Sequence, residues 1–386
     1  MIDPVSLAQA LIRCPSVTPK DEGALGLLED ALKPLGFSCQ RLAFQEPGTE
    51  RVENLYAQVG NGAPLFCFAG HTDVVPSGEA SLWRHDPFGA EIEGGLLYGR
   101  GAADMKSAVA AFVAAAARHL AGHAGRGSIA LLITGDEEAD AVNGTCKVLD
   151  WIKQKGIKLD HCIVGEPSSI AVIGDNIKIG RRGSLNVRIA VEGAQGHVAY
   201  PAKALNPIPA VAELVTRLSN LKLDDGTELF EPSTLAFTSI DVGNPATNVI
   251  PAAARAQFNI RFNDRHTPES LMRLIEKIAA DVAADTACTA KLEYSLSGVA
   301  FATQPGPFTA IASQAIQSVT GRVPEYSTGG GTSDARFIKD HCPVAELGVV
   351  NATMHKTDEC VPVADIQTLA DIYTALLDAY FANPPK

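Results

Sequence analysis

The chain has 386 residues, 46% hydrophobic and 20% charged, the balance of a folded globular protein and not of a disordered or fibrous one. Its 32 basic residues against 44 acidic ones give a net charge of −12, which argues against nucleic acid or an anionic membrane as partner. At about 150 residues per domain the length suggests roughly two domains, and no apolar run of about 20 residues reads as a membrane span.

The N-terminal stretch MIDPVSLAQALIRCPSVTPK carries Asp3 and has neither a basic leader nor a small-residue cleavage site, so it reads as a helix of the mature fold. Residues Glu22 to Leu35 place Leu25, Leu28 and Leu32 on one helical face, with Gly36 as the cap. Pro64 to Val75 reads as a buried strand that ends in polar residues, putting His71 and Asp73 near its end. The alanine-rich segment from Met105 to Leu120 carries Ala108, Phe112, Ala115 and His119 on one helical stripe. That spacing predicts Asp104 at a helix N-terminus, which suits a negative ligand. The runs SIALLITGDEE and HCIVGEP place Glu137, Glu138 and Glu166 just past the last buried residue of a strand, the edge where open α/β sheets form their sites.

Residues 182–294 change character. Their strands and helices follow in the order β-α-β-β-α-β, which predicts a ferredoxin-like insert. Helical periodicity resumes at Pro307 to Val319 and Ile366 to Tyr380, and His355 must return to the first domain. No internal repeat or low-complexity segment interrupts this order. The eight cysteines are scattered without a C-x-x-C pair, so neither a disulfide framework nor a thiolate zinc site is indicated. Reduced thiols and a cytoplasmic location fit that usage.

His71, Asp104, Glu138, Glu166 and His355 therefore all fall at or beside the ends of apolar runs, with Glu137 adjacent. This is the makeup of a two-metal hydrolase site, since zinc accepts imidazole and carboxylate and one carboxylate can bridge two ions. A single histidine is more often structural, and His85, His119, His123, His161, His266 and His341 are read that way. The joint pattern of candidates in glycine-bounded segments at element ends is what points to a site.

The motifs GHTDVVP (70–76), GRGAADMK (99–106), DEE (136–138), GEPS (165–168) and the late Met354-His355 resemble the dizinc aminoacylase and carboxypeptidase family of metallopeptidases, over essentially the whole chain. The resemblance implies an α/β fold: a mixed-sheet, dizinc exopeptidase-like catalytic domain of residues 1–180 and 295–386. A ferredoxin-like α+β dimerisation or lid domain, residues 181–294, would interrupt it. RRGSLNV (181–187), GHVAYP (196–201), GGTSDARFI (330–338) and ELGVVNATMHKTDE (346–359) resemble the members that cleave an anionic N-succinyl amino acid, N-succinyl-LL-2,6-diaminopimelate.

Carried over by position, the resemblance implies two Zn2+ per subunit, with Co2+ able to substitute. His71 and Glu166 would hold one ion, Glu138 and His355 the other, and Asp104 would bridge them. Glu137 would be the proton carrier and Asp73 would hold the second ring nitrogen of His71. His197 would stabilise the oxyanion from a neighbouring subunit, making a homodimer necessary, and closure would bring it in. Arg182, Asn248, Arg261, the Ser327 to Thr332 loop with Thr328 and Gly330, and Asn351 would contact substrate. Without the resemblance, His197 reads as a surface turn histidine and Asp73 as a cap or turn residue. Arg181 and Lys178 also read as solvated charges.

Two positions depart from the family pattern: Ala139 stands where glycine is expected and Ala202 where histidine is frequent. The nearest rival activities are acetylornithine deacetylation and broad N-acyl-amino-acid hydrolysis, which use the same ions and base. The Gly329-Gly330-Gly331 run invites a phosphate loop, but no G-x-x-x-x-G-K-[ST] occurs. A noncatalytic binding protein on this scaffold would be expected to have lost a ligand or the base, and all six are present.

Overall fold

The apolar run LFCFAGH folds as the strand Leu65–His71, with all seven residues buried. In the computed structural model, which describes residues 2–122 and 127–385, it lies inside an eight-stranded mixed sheet. His123 lies outside the described residues. The strand order is Ser38–Phe44, Val52–Val59, Ser128–Thr134, Leu65–His71, His161–Val164, Val344–Glu346, Asn176–Lys178 and Glu325–Ser327. Leu65–His71 runs parallel to both of its neighbours, so their carboxyl ends share one edge of the sheet. Such strands are covered on both faces, which is why they read as unbroken apolar runs.

The helix Ser107–Gly122 packs against Val363–Ala382 and Pro4–Ile12. Every residue from Ser107 to Ala116 is buried, so the predicted stripe is in fact a helix covered on all sides. Alanine permits that close approach, and Phe112 stacks on Phe68 with ring centroids 4.3 Å apart. This helix begins three residues later than Asp104. Asp104 (φ −124°, ψ 94°) and Met105 (φ −134°, ψ 28°) are non-helical, and the sequence-based placement of Asp104 at the helix start is corrected to a tight turn before it. Alanine richness extends the periodic signal into the turn and hides the boundary. The helix Ala24–Leu32 likewise starts later than its periodicity suggests, because Glu22 and Gly23 both take positive φ.

The chain divides into two compact units: Met1–Gly180 with Thr303–Ser327 and Ser333–Lys386, and Arg181–Ala302 with Thr328–Thr332. Within the first, the two chain ends that flank the interruption meet, with the Thr303 N–H donating to the Ile179 carbonyl at 2.7 Å. The second holds an antiparallel sheet in the order Thr234–Asp241, Ala253–Phe262, Gly183–Glu192 and Thr289–Gly298. Alternate residues such as Leu185, Val187, Ile189 and Val191 join a core with the helices Pro207–Ser219 and Pro268–Thr286. The connection is β-α-β-β-α-β. Among the described residues no helix is long and apolar enough to cross a membrane.

Candidate metal centre

The candidate site forms at the carboxyl edge of the parallel strands. His71 closes Leu65–His71, Glu137 and Glu138 follow Ser128–Thr134, and Glu166 follows His161–Val164. Asp104 arrives from the turn before Ser107, and His355 from a loop in which its own φ is +61°. Close packing sets the height of the turn. A Cβ at Gly70 or at Gly165 would stand 2.5 Å from Met105 Cε, so both strands leave room for the Met105 side chain next to Asp104.

The two carboxylate oxygens of Asp104 face different imidazoles. Oδ1 lies 3.3 Å from His71 Nε2 and Oδ2 lies 3.3 Å from His355 Nε2. His71 Nε2 is also 3.7 Å from Glu166 Oε1, and His355 Nε2 is 2.9 Å from Glu138 Oε1. His71, Asp104 and Glu138 offer donor atoms within 4.8 Å of one another, as do His71, Glu137 and Glu166.

These residues fit a pair of cations on chemical grounds. His71 Nδ1 lies 2.9 Å from the main-chain oxygen of Asp73. A carbonyl only accepts, so Nδ1 carries a proton, and a bound cation would find the Nε2 lone pair directed toward Asp104 and Glu166. Lone pairs converging in a buried space call for a positive charge between them, and buried carboxylates are either paired or bound to metal. The titration directions show the same demand for positive charge, met by protons on the imidazoles when no cation is bound. Burial alone depresses His71, yet hydrogen bonding to Asp104 and the charges of Asp73 and Glu137 hold it well above its usual value. Hydrogen bonds to Asp104 and Glu138 push His355 up to about 10.

Asp73 does something different from the expected grip on the ring. Its carboxylate lies 3.6 Å from His71 Nδ1, while the main-chain oxygen takes the shorter contact. Its two side-chain oxygens accept the N–H groups of Glu137 and Glu138, at 3.3 and 3.1 Å. Asp73 thus ties the His71 strand to the loop bearing the acidic pair. Burial first, and then the charge of Glu166, raise the Glu137 carboxyl well above the ordinary range.

Three further residues escaped the sequence reading. Glu359 is fully buried; Oε1 accepts from Ala103 N–H at 2.9 Å and Asp104 N–H at 3.1 Å, while Oε2 accepts from Arg100 Nη1 at 2.7 Å. Arg100 also donates to the carbonyls of Lys356 and Pro76. Asp334 is buried, raised by burial to about 6, and near enough to raise Glu137 in turn. Arg100 and Glu359 stand inside the GRGAADMK and ELGVVNATMHKTDE stretches, which was the only signal available.

The remaining predicted residues divide between the units. Asn351 belongs to the first, its N–H donating to Ser169 O at 3.1 Å on the segment after Glu166. The others belong to the second. Arg261 pairs in register with Ser184, beside Arg182 and Arg181, and burial followed by those two charges lowers its pKa. Arg182 donates to Pro232 O and faces Glu231, and Arg181 donates to Gly331 O at 2.6 Å. Arg261 Nη1 is buried without a hydrogen-bond partner. Thr328 donates to Leu229 O, and Gly330 takes φ +96°. His197 and Asn248 lie together on a small ribbon that pairs His197 with Val249.

Comparison with known proteins adds findings of three kinds. The sequence profile of peptidase family M20/M25/M40 matches residues 67–379. The chain is 58% identical over 384 residues to a succinyl-diaminopimelate desuccinylase of Rhodopseudomonas palustris (strain BisB5), covering 99% of each. It is also 58% identical over 382 residues to one of Rhodospirillum centenum, covering 99% of this chain and 98% of that protein. Among solved structures, the M20 family metallo-carboxypeptidase Sso-CP2 from Sulfolobus solfataricus superposes with TM-score 0.80 at 17% identity, over 99% of this chain and 100% of that one. The Bacillus subtilis YXEP protein, described as a dinuclear metal binding peptidase from the M20 family, gives TM-score 0.72 at 16% identity, over 97% and 96%. At such identities these two establish likeness of fold.

Proposed function

The chain belongs to peptidase family M20/M25/M40, and from that membership we propose that it hydrolyses N-succinyl-LL-2,6-diaminopimelate to succinate and LL-2,6-diaminopimelate, a step of lysine and diaminopimelate biosynthesis. It is an amide hydrolase. The observation that carries the substrate is the end-to-end identity with the Rhodopseudomonas and Rhodospirillum desuccinylases.

His71 and Glu166 would hold one zinc ion and Glu138 and His355 a second, with one oxygen of Asp104 turned to each. When bound, the pair would lower the pKa of a water and stabilise negative charge on the amide oxygen. Cobalt can replace zinc in such an imidazole and carboxylate set. Glu137 takes the proton of the attacking water and delivers it to the leaving nitrogen. Its raised carboxyl pKa suits delivery of the proton, and cations held beside it would favour the ionised form that takes the proton up. Asp73 keeps Glu137 and Glu138 in place through their main-chain amides.

The arginines of the second unit supply the positive charge that an anionic substrate needs in a chain of net charge −12. Arg261, with a buried unpaired donor, is assigned to a substrate carboxylate, and Arg182, Asn248, Thr328, Gly330 and Asn351 to the remaining contacts. The dimer is part of the same reading. Arg182 and Arg261 stand at one end of the ten-residue strand Gly183–Glu192, while His197 and Asn248 follow from the other. At about 3.3 Å per residue those ends are roughly 30 Å apart. That separation supports His197, and Asn248 beside it, serving the site of a second copy, where His197 stabilises the oxyanion. Eight free cysteines accord with a cytoplasmic setting.

The test offers the zinc-loaded protein N-succinyl-LL-2,6-diaminopimelate and N-acetylornithine side by side. Strong preference for the succinyl substrate is expected, and equal or better use of N-acetylornithine overturns the assignment.

A further inference from the structure

Glu359 and Arg100 take no part in the ligand set, yet they join the two segments that deliver two of its five members, Asp104 and His355. We propose that they are a positioning pair which fixes Asp104 against His355, so that the Glu138 and His355 half of the metal pair, which draws on both restrained residues, depends on them more strongly than the His71 and Glu166 half, which shares only Asp104. This rests on the two-ion reading given above.

The argument begins with what holds each ligand. His71 ends a strand hydrogen-bonded on both sides, and Glu166 follows another strand of the same ladder, so the sheet fixes both. Asp104 and His355 have no such support, since one lies in a non-helical turn and the other in a loop at positive φ. Glu359 supplies the missing restraint. Its Oε1 holds the N–H of Asp104 itself at 3.1 Å and that of Ala103 at 2.9 Å, and its main-chain oxygen accepts the Gly99 N–H at 2.9 Å.

Arg100 completes the connection. Its Nη1 bonds Glu359 Oε2 at 2.7 Å and the Lys356 carbonyl at 3.2 Å, so contacts at residues 356 and 359 restrain the chain that leaves His355. The guanidinium also lies 5.1 Å from the Trp83 ring centroid and has its side chain 4% exposed. A carboxylate is needed at 359 because it must accept from two amides and a guanidinium at once.

The experiment titrates the metal-free full-length chain with Co2+, followed by calorimetry and by visible absorption, for the parent and for Glu359→Gln and Arg100→Met. The parent taking up two ions is the prior condition; fewer than two in the parent counts against the two-ion reading itself, before any variant is compared. Given two, each variant is expected to lose about 10- to 100-fold in one affinity and at most about threefold in the other, which shares only Asp104, with the larger change in the absorption band of the more weakened ion. Retention of both affinities, or equal weakening of both, overturns the proposal. Thermal unfolding of the metal-free forms checks that each variant folds. Should Glu359→Gln fail to fold, Arg100→Met, which leaves the grip of Glu359 on the two amides, decides by the same two affinities.

Discussion

His355 Nε2 lies 2.9 Å from Glu138 Oε1 although 217 residues separate them in the chain. With Asp104 Oδ2 3.3 Å away, His355 stands where one cation would draw all three together. His355→Ala is therefore expected to remove one of two bound ions and to lower kcat at least about 100-fold. Metal content by elemental analysis beside steady-state kinetics checks this. Two retained ions with full turnover would place His355 outside the site.

Glu137 is assigned to proton movement and not to a ligand position. Glu137→Gln should keep the parent metal content and lose about 10²- to 10⁴-fold in kcat. Undiminished turnover in that variant would remove it from the mechanism.

Arg261 has a buried donor awaiting an acceptor. Replacement by Met should lower kcat/KM for the succinyl substrate about 10- to 100-fold, the range of a lost charged hydrogen bond at about 1.5–3 kcal/mol. Metal affinity should not move. An unchanged kcat/KM in Arg261→Met would reassign the carboxylate to another arginine.

Met105 fills a gap that both Gly70 and Gly165 leave open by lacking side chains. A Cβ there would lie 2.5 Å from Met105 Cε and 2.6 Å from Phe68 Cζ, so Gly165→Ala should destabilise the first unit by about 1–3 kcal/mol through overpacking. Denaturant unfolding measures the change, and the double variant with Met105→Ala should recover part of it. No loss of stability in Gly165→Ala would show that the turn has slack.

The second unit carries a pH-dependent restraint of its own. Asp224 accepts hydrogen bonds from Gly226 N–H, Ser233 N–H and Asn263 Nδ2, and faces His266 Nε2 at 3.1 Å. Burial opposes its charge, but bonding from Ser233, Gly226 and Asn263 prevails and holds its pKa below the usual range. A depressed carboxyl pKa stabilises the fold above the unfolded value and loses that contribution as pH falls. Asp224→Asn should be less stable than the parent at pH 7, with the gap narrowing below about pH 4. Unfolding curves at a series of pH values decide, and a constant gap would refute the linkage.

The sheet edge was legible because its strands are buried on both faces: LFCFAGH, SIALLIT and HCIV announce themselves as apolar runs, and the polar residues after each must lie at an end. Asp104 was harder, since the alanines after it carry a helical signal that says nothing about where the first turn begins. Glu359 and Arg100 were illegible for another reason. Charged residues in a loop read as solvated, and only the folded chain reveals that these two are buried against each other. The same holds for Asp73, whose bonds to the amides of Glu137 and Glu138 depend on tertiary contact. Period-2 and period-3.6 patterns alternate along the second unit, but they do not mark its limits: it runs to Ala302, not 294, and takes in Thr328–Thr332.

The meeting of Ile179 and Thr303 bears on how such genes change over time. A polypeptide that departs and comes back through one hydrogen bond can acquire, shed or exchange the intervening module while the remainder keeps its hydrogen-bonded ladder. Recombination at that junction would exchange His197 and the arginines assigned to substrate in a descendant, and leave the proposed metal ligands and Glu137 inherited whole.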